Sequence, residues 1–265
     1  MIYTLDDIEQ LKFDIGKHTR IVSLVPSLTE LLFDLGLHNA VVGITKFCIH
    51  PETWYRTKER VGGTKNVDIE KVLKIQPDLI IANKEENVKD QVEVLAENIN
   101  VLLTDINTIE EALMVIDAIG RLLGKETASD SMIRNFKDEV CAYPSNQAIP
   151  KEVCYLIWQN PWMTVGGDTY INDTLKFGGF KNVYQHLYRY PVIEDEAFVE
   201  LVKSGTCAFL LSSEPYPFRQ KHIDVIKTYN PEVVVILVDG EIFSWYGSKL
   251  LKLPSYISEL RKLLN

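Results

Sequence analysis

The sequence predicts an α/β protein of two similar lobes, each built on a mostly parallel sheet and held apart by a helical spacer. Three observations lead there. A helix–turn–strand unit occurs twice: residues 67–81 start acidic, run through Asp68-Ile-Glu-Lys-Val-Leu and end in Gln76-Pro-Asp-Leu-Ile-Ile81, and residues 193–211 repeat that order through Glu194-Asp-Glu-Ala-Phe-Val to Ala208-Phe-Leu-Leu211. Short apolar runs alternate with helical spacing in both halves, as in a parallel sheet covered on both faces. Between the halves lie two helical stretches nearly free of turn residues. Two lobes spaced by helix frame a cleft, the usual place for a small ligand.

The first lobe opens with Arg20-Ile-Val-Ser-Leu-Val25, a short buried strand. Ser27 and Glu30 have capping-box spacing, so a helix is expected to start on Ser27; Leu28, Leu31, Leu32 and Leu35 form its apolar face and Gly36 closes it. Strands follow at 41–44, 79–82 and 100–103, with a helix over 88–99. Thr108 and Glu111 repeat the capping-box spacing, and Ile109, Leu113, Ile116 and Leu123 follow helical spacing up to Gly124. Ala128, Met132, Phe136 and Val140 continue at i, i+4 and stop before Pro144. The Pro/Ser/Asn stretch 144–150 reads as a linker. The expected division is an N-terminal lobe over 1–123, a bridging helix over 124–143 and a C-terminal lobe over 144–265.

In the second lobe, Glu152-Val-Cys-Tyr-Leu-Ile-Trp158, Ala208-Phe-Leu-Leu211 and Val233-Val-Val-Ile-Leu-Val238 read as strands. Residues 169–177 read as a helix ending at Gly178-Gly179, and 256–264 as a terminal helix.

Composition narrows the function classes. Hydrophobic (46%) and charged (25%) fractions over 265 residues suit a soluble globular protein with a full core. A net charge of −9 without a basic run argues against nucleic acid or an anionic membrane surface as partner. No stretch is long and apolar enough for a transmembrane helix, so no membrane insertion is expected. Residues 1–10 lack the basic and apolar regions of a signal peptide. Read as it stands the chain is cytoplasmic; an export signal in front of it would make it periplasmic. Cys48, Cys141, Cys154 and Cys207 are widely spaced with no C-x-x-C, which favours reduced thiols, and Cys154 and Cys207 sit in apolar runs as small hydrophobes.

Three second-lobe loops are rich in aromatic residues: Trp158-Gln-Asn-Pro-Trp-Met163, Glu214-Pro-Tyr-Pro-Phe218 and Glu241-Ile-Phe-Ser-Trp-Tyr-Gly247. Each follows a predicted strand, where an open α/β sheet binds its ligand. Trp158, Trp162, Tyr216, Phe218, Trp245 and Tyr246 are therefore candidate ligand contacts; the alternative is that some of these rings seal the core. The first lobe offers Ser27 at a helix N-terminus, and Phe47 and His50 in Lys46-Phe-Cys-Ile-His-Pro51. Cys48 and His50 form a C-x-H pair, and the five histidines show no H-x-x-x-H pairing, so no protein-only metal site and no intrinsic cofactor are expected. Gly166-Gly-Asp-Thr169 reads as a helix cap, since neither phosphate-loop glycine motif occurs. There is no G-x-S-x-G elbow and no nucleophile, base and orienter set.

At Arg20-Ile-Val-Ser-Leu-Val-Pro-Ser-Leu-Thr-Glu30, Val42-Gly43-Ile44, Val61-Gly-Gly63 with 68–81, and Met163-Thr-Val-Gly-Gly167 the chain resembles a known family. This is the helical-backbone, class III substrate-binding proteins of ABC importers, and the likeness leans to the cobalamin-binding branch. The resemblance implies two Rossmann-like lobes bridged by one long backbone helix near 126–140. It implies a ligand lying flat between the lobes, with little movement on binding. It also implies that Glu70 on one lobe and Glu196 (or Glu194) on the other dock against an ABC permease. The expected function is a non-catalytic binding protein for a bulky metal chelate, cobalamin first, haem or a ferric siderophore next. Asn83 departs from the pattern, standing where the cobalamin binder carries a tryptophan. Two alternatives stay open: a cytosolic enzyme or regulatory module on the same scaffold, with Asp168, Glu214 and Glu241 as its acids, or a partner-docking protein using the acidic faces.

Overall fold

The computed structural model describes residues 1–142 and 151–264 apart from Lys12, Asp14, Ile15 and Lys17, so the expected linker at 144–150 falls outside the described residues. The chain divides into two compact units: Met1–Ile106, Glu110–Phe136 and Tyr246–Ser248 form one, and Asn107–Ile109, Lys137–Trp245 and Lys249–Asn265 the other.

The first unit contains β1 (Ile2–Tyr3), β2 (Ile21–Ser23), α1 (Pro26–Asp34), β3 (Val41–Ile44), α2 (Glu52–Thr57), β4 (Glu59–Arg60), α3 (Ile69–Ile75), β5 (Leu79–Asn83), α4 (Lys89–Ala96) and β6 (Asn100–Thr104). Then come α5 (Ile109–Leu122) and α6 (Glu126–Ala142), and the unit boundary falls within α6 after Phe136. Its six strands run in the order β1-β6-β5-β2-β3-β4, every pair parallel. All of β2 and β5 is buried, as strands covered on both faces must be. Val22, Leu24, Val61, Val72, Ile80, Val92, Leu95 and Val101 share one core on one face of the sheet. The sequence pattern misses β1 and β4, each two residues long, because neither has room for a period.

The second unit contains β7 (Lys151–Trp158), β8 (Trp162–Thr164), α7 (Tyr170–Phe177), β9 (Phe180–Asn182), β10 (Val192–Ile193), α8 (Asp195–Ser204), β11 (Ala208–Ser212), α9 (Gln220–Lys227), β12 (Val235–Val238), α10 (Gly240–Ser244) and α11 (Leu253–Leu264). The order is β10-β8-β7-β11-β12, with β9 pairing the start of β7. Strands β7, β11 and β12 are parallel, while β8 folds back on β7 as a hairpin and β10 pairs antiparallel with β8.

The duplicated motif is present in both units. Helices α3 and α8 each end on a left-handed residue, Gln76 (φ 52) and Gly205 (φ 63), and each leads into a fully buried strand, β5 and β11. One expected detail differs. Helix α1 starts at Pro26 with Val25 as its N-cap, and Ser27 is not the cap. Proline at the first helical position has its φ preset and lacks an N–H to satisfy, so it takes the start one residue ahead of the serine.

The Gly166-Gly167 pair is fixed by close backbone approach. Thr164, Gly166 and Gly167 donate to the carbonyls of Pro191, Arg189 and Leu187 at 3.1, 2.7 and 2.9 Å, extending the β8–β10 ladder. A Cβ on Gly167 would lie 2.1 Å from the Gln185 carbonyl oxygen, and that oxygen cannot swing away as a side chain could. Gly167→Ala is therefore expected to destabilise the fold by about 1–3 kcal/mol, read as a lower midpoint in denaturant unfolding with an unchanged slope.

Candidate ligand-binding site

Because β7, β11 and β12 are parallel, the turns that follow them emerge at one edge of the second unit's sheet. Those turns are the three aromatic loops. The first is the β7–β8 hairpin, where Asn160 takes φ 63. The second joins β11 to α9, and the third is α10 with the residues after it. The His50–Pro51, Asn160–Pro161 and Glu214–Pro215 peptide bonds are cis.

The first two loops share a continuous aromatic run. Trp158 is 40% exposed, and its ring meets Tyr216 edge-on at 5.3 Å. Tyr216, half-buried, meets Phe218 at 4.8 Å. Phe218 stacks with Trp162 at 6.3 Å, and Trp162 stacks on Phe198 at 4.2 Å in the middle of the core. So Trp158 and Tyr216 reach solvent, whereas Phe218 and Trp162 are buried in the core cluster of this unit. The inner pair anchors the outer pair; each such ring contact adds about 0.5–1.5 kcal/mol beyond the area it buries.

The third loop builds a polar cluster beside them. Gly240 opens α10, where a Cβ would meet Ser212 Oγ at 2.3 Å and Glu214 Cγ at 2.7 Å, so glycine lets β12 turn tightly against β11. The Glu214 carboxylate accepts from Ser244 Oγ at 2.5 Å. Lys249 pairs with Glu241 at 2.8 Å with little of either side chain exposed, and its ammonium lies 5.5 Å from the Trp245 ring centre. Trp245 is buried, and Tyr246 is buried in the first unit. Burial pushes the Glu214 carboxyl above the usual carboxylate range, against the opposing hydrogen bonds from Ser244 and Trp245.

At the corresponding edge of the first unit, the loop after β3 carries Phe47 (52% exposed) and Ile49 (46% exposed), with the Lys46 ammonium 5.1 Å from the Phe47 ring centre. Gly63 seats this pair: a Cβ there would touch the ring at 3.1 Å. His50 is half-buried. Cys48, two residues away, faces the core and takes a hydrogen bond from Thr29 Oγ1 at 3.1 Å, and burial raises its pKa. Ser27 is buried, and Gly247 packs on its carbonyl. Asn83 serves the scaffold. Its amide donates to the Thr104 carbonyl and hydroxyl at 3.1 Å each and its side-chain oxygen accepts from Glu85 N–H at 2.9 Å, pinning the turn after β5.

The acids weighed for catalysis have partners already. Asp168 accepts from the Arg189 amide at 2.6 Å, Glu241 holds Lys249 and Glu214 holds Ser244. Among the described residues no group of three or more His, Cys, Asp or Glu could hold a metal ion, and no helix is long and apolar enough to cross a membrane. Glu70 and Glu196 are exposed and equivalent, each the second residue of its helix in the duplicated motif. Sequence reasoning passed over Ile49 and Tyr188; at 80% exposure Tyr188 is the most exposed large apolar residue described. The run Tyr184-Gln-His-Leu-Tyr-Arg-Tyr190 was the signal for it.

The sequence profile of the family described as "periplasmic binding protein" matches residues 21–234. The uncharacterized ABC transporter substrate-binding lipoprotein YvrC of Bacillus subtilis (strain 168) is 31% identical over 209 residues, 75% of this chain and 66% of that protein. A vitamin B12-binding protein of Vibrio parahaemolyticus is 22% identical over 184 residues, 68% of this chain and 66% of that protein. The match thus spans just under two thirds of the length of these curated relatives. Among solved structures, the apo form of the periplasmic heme-binding protein RhuT from Roseiflexus sp. RS-1 superposes with a TM-score of 0.77 at 16% identity, over 92% of this chain and 97% of that one.

The raised Glu214 carboxyl has a consequence for stability. Its protonated form is favoured in the fold, so its stabilising contribution is complete below the ordinary carboxyl pKa and is lost as pH rises through the raised value. Glu214→Gln, neutral at every pH, is expected to raise Tm by about 2 °C at pH 8 and to leave it unchanged at pH 4, measured by calorimetry.

Proposed function

The chain belongs to the periplasmic-binding-protein family, and from that premise we propose that it is a non-catalytic receptor for a bulky, flat metal chelate, cobalamin first and haem or a ferric siderophore next. The observation that carries this reading is the outward-facing Trp158–Tyr216 pair braced on the buried Phe218 and Trp162. A rigid ring on a rigid base offers apolar area at small entropic cost, which suits a macrocycle or chelate with a broad apolar face. On the first unit Phe47, Ile49 and Lys46 form an exposed amphipathic cluster of their own, with His50 in the same loop. Trp245 closes the third edge loop, with the Lys249 ammonium of the Glu241–Lys249 pair beside its ring. The partnered state of Asp168, Glu214 and Glu241 supports a binding role over the enzyme alternative.

A receptor of this kind hands its ligand to an ABC permease. We assign that contact to Glu70 and Glu196, whose matched places on the duplicated helices would present one carboxylate from each unit. Handing a ligand to an importer is work for the outer side of the cytoplasmic membrane, which fits the lipoprotein named among the relatives and favours the exported alternative.

Titration with cyanocobalamin, ferric haem and a ferric hydroxamate, followed by tryptophan fluorescence, tests the receptor reading. Saturable quenching by at least one is expected, with Trp158→Ala weakening it by about tenfold; saturation by none of them overturns it. For the permease contact, the Glu70→Lys, Glu196→Lys double variant is expected to keep the receptor's ligand affinity and to abolish its stimulation of the reconstituted transporter's ATPase.

A further inference from the structure

His222 sits in the first turn of α9, 3% exposed, in no motif that the sequence singles out. Its ring meets Tyr216 and Phe218 edge-on, with centres 5.4 and 5.2 Å apart. The Arg219 backbone N–H donates to His222 Nδ1 at 2.7 Å. An amide N–H can only donate, so Nδ1 is the acceptor and the ring's proton lies on Nε2. Nε2 is 3.3 Å from Tyr216 Oη, so it donates to the phenol oxygen. The phenol proton is then free for Gln159 Oε1, also at 3.3 Å. Donors therefore point one way, from Arg219 through His222 and Tyr216 to Gln159. Gln159 follows Trp158, the ring that stands against Tyr216.

We infer that His222 is the positioning residue of the Trp158–Tyr216 pair, aiming both rings through this one-way relay and releasing them when the imidazole gains a second proton. The inference deepens the receptor reading and, for its effect on ligand, rests on it. The second proton must go to Nδ1, where it faces the Arg219 N–H across 2.7 Å. Two donors cannot share that contact. The Arg219 carbonyl lies 3.1 Å from Nδ1, and a ring rocking towards it carries Nε2 away from the phenol.

The surroundings oppose the added charge. From the loop before α9, Tyr216 and Phe218 face the ring, and from the hairpin Gln159 is reached through Tyr216; Tyr216 is the titratable group across from it. The charged neighbours are Lys221 and Arg219, both cationic. Burial holds the imidazole's pKa below the usual histidine value, against the opposing pull of the Arg219 backbone hydrogen bond, and these two charges act in the same direction as burial. The neutral ring is thus favoured in the fold, and its contribution is complete above the usual histidine pKa and lost as pH falls through it towards the lowered one.

The test uses the full chain labelled with 5-fluorotryptophan, its Trp158 resonance assigned with Trp158→Phe and followed by fluorine NMR from about pH 8 to about pH 5. The wild-type resonance is expected to move with a midpoint below the usual histidine value while far-UV circular dichroism stays constant. His222→Gln retains an N–H donor near Nε2 but cannot titrate; its Trp158 resonance should stay at the wild-type high-pH position throughout. His222→Phe should sit displaced at every pH. A wild-type resonance that stays put, or a His222→Gln resonance that still titrates, overturns the relay. A second arm measures affinity for cyanocobalamin and ferric haem at both pH extremes. A loss of about three- to tenfold at low pH in wild type, the worth of one hydrogen bond, is expected for whichever binds, and none in His222→Gln. If Trp158 titrates but affinity does not, the relay stands and the placement of ligand on this pair is overturned.

Discussion

The rest of this structure depends on the parallel pairing of strands that are buried on both faces. A parallel strand must be followed by a crossover, and the crossover must pack on the sheet, so every strand-to-helix turn of a unit leaves the same edge. In the second unit the shared direction of β7, β11 and β12 gathers the turns after them along one rim, although the ends of β7 and β12, Trp158 and Val238, are 80 positions apart in sequence. In the first unit parallel pairing likewise gathers the turns after β2, β4 and β5, which Asn87 ties together: its amide donates to the carbonyls of Leu24 and Thr64 at 3.3 and 3.1 Å.

The candidate site is an outgrowth of the core. Phe198 and Trp162 belong to the packed interior, Phe218 and Tyr216 to its margin, and Trp158 to the surface. A ring placed alone on a loop would sample many rotamers and lose that freedom on binding. A ring stacked on rings that are themselves locked has little left to lose, which is how packing is converted into readiness to bind. The polar groups obey the same economy of position: Glu214, Ser244, Glu241 and Lys249 satisfy one another near the rim, so that α10 can sit close on β11 despite its charges.

Much of this was legible in the residues, and the rest was hidden for identifiable reasons. The duplicated helix–strand unit was visible because both copies carry an acidic helix start and an apolar strand; that their strands take equivalent places, β5 beside β2 and β11 beside β7, was not. The start of α1 was misplaced because a proline outranked a serine at the same turn. Strands β1, β4, β8, β9 and β10 are two or three residues long and owe their existence to a neighbour's unpaired edge, which no local pattern records. That the three aromatic loops share one edge followed from the alternation of elements. Which of their rings face out did not: Trp158 and Trp162 are four residues apart in one hairpin, yet one is at the surface and the other lies against Phe198.

The sequence by itself determined the fold class, the doubling of the motif and the family, because these follow from hydrophobic periodicity and from short motifs that survive in one dimension. The tertiary structure alone decided which side chains are free to meet a ligand and which serve the scaffold. Exposure is a property of what packs against a residue from far along the chain, so the separate fates of Trp158 and Trp162, the scaffold role of Asn83 and the hydrogen-bond direction through His222 were settled only when the strands came together.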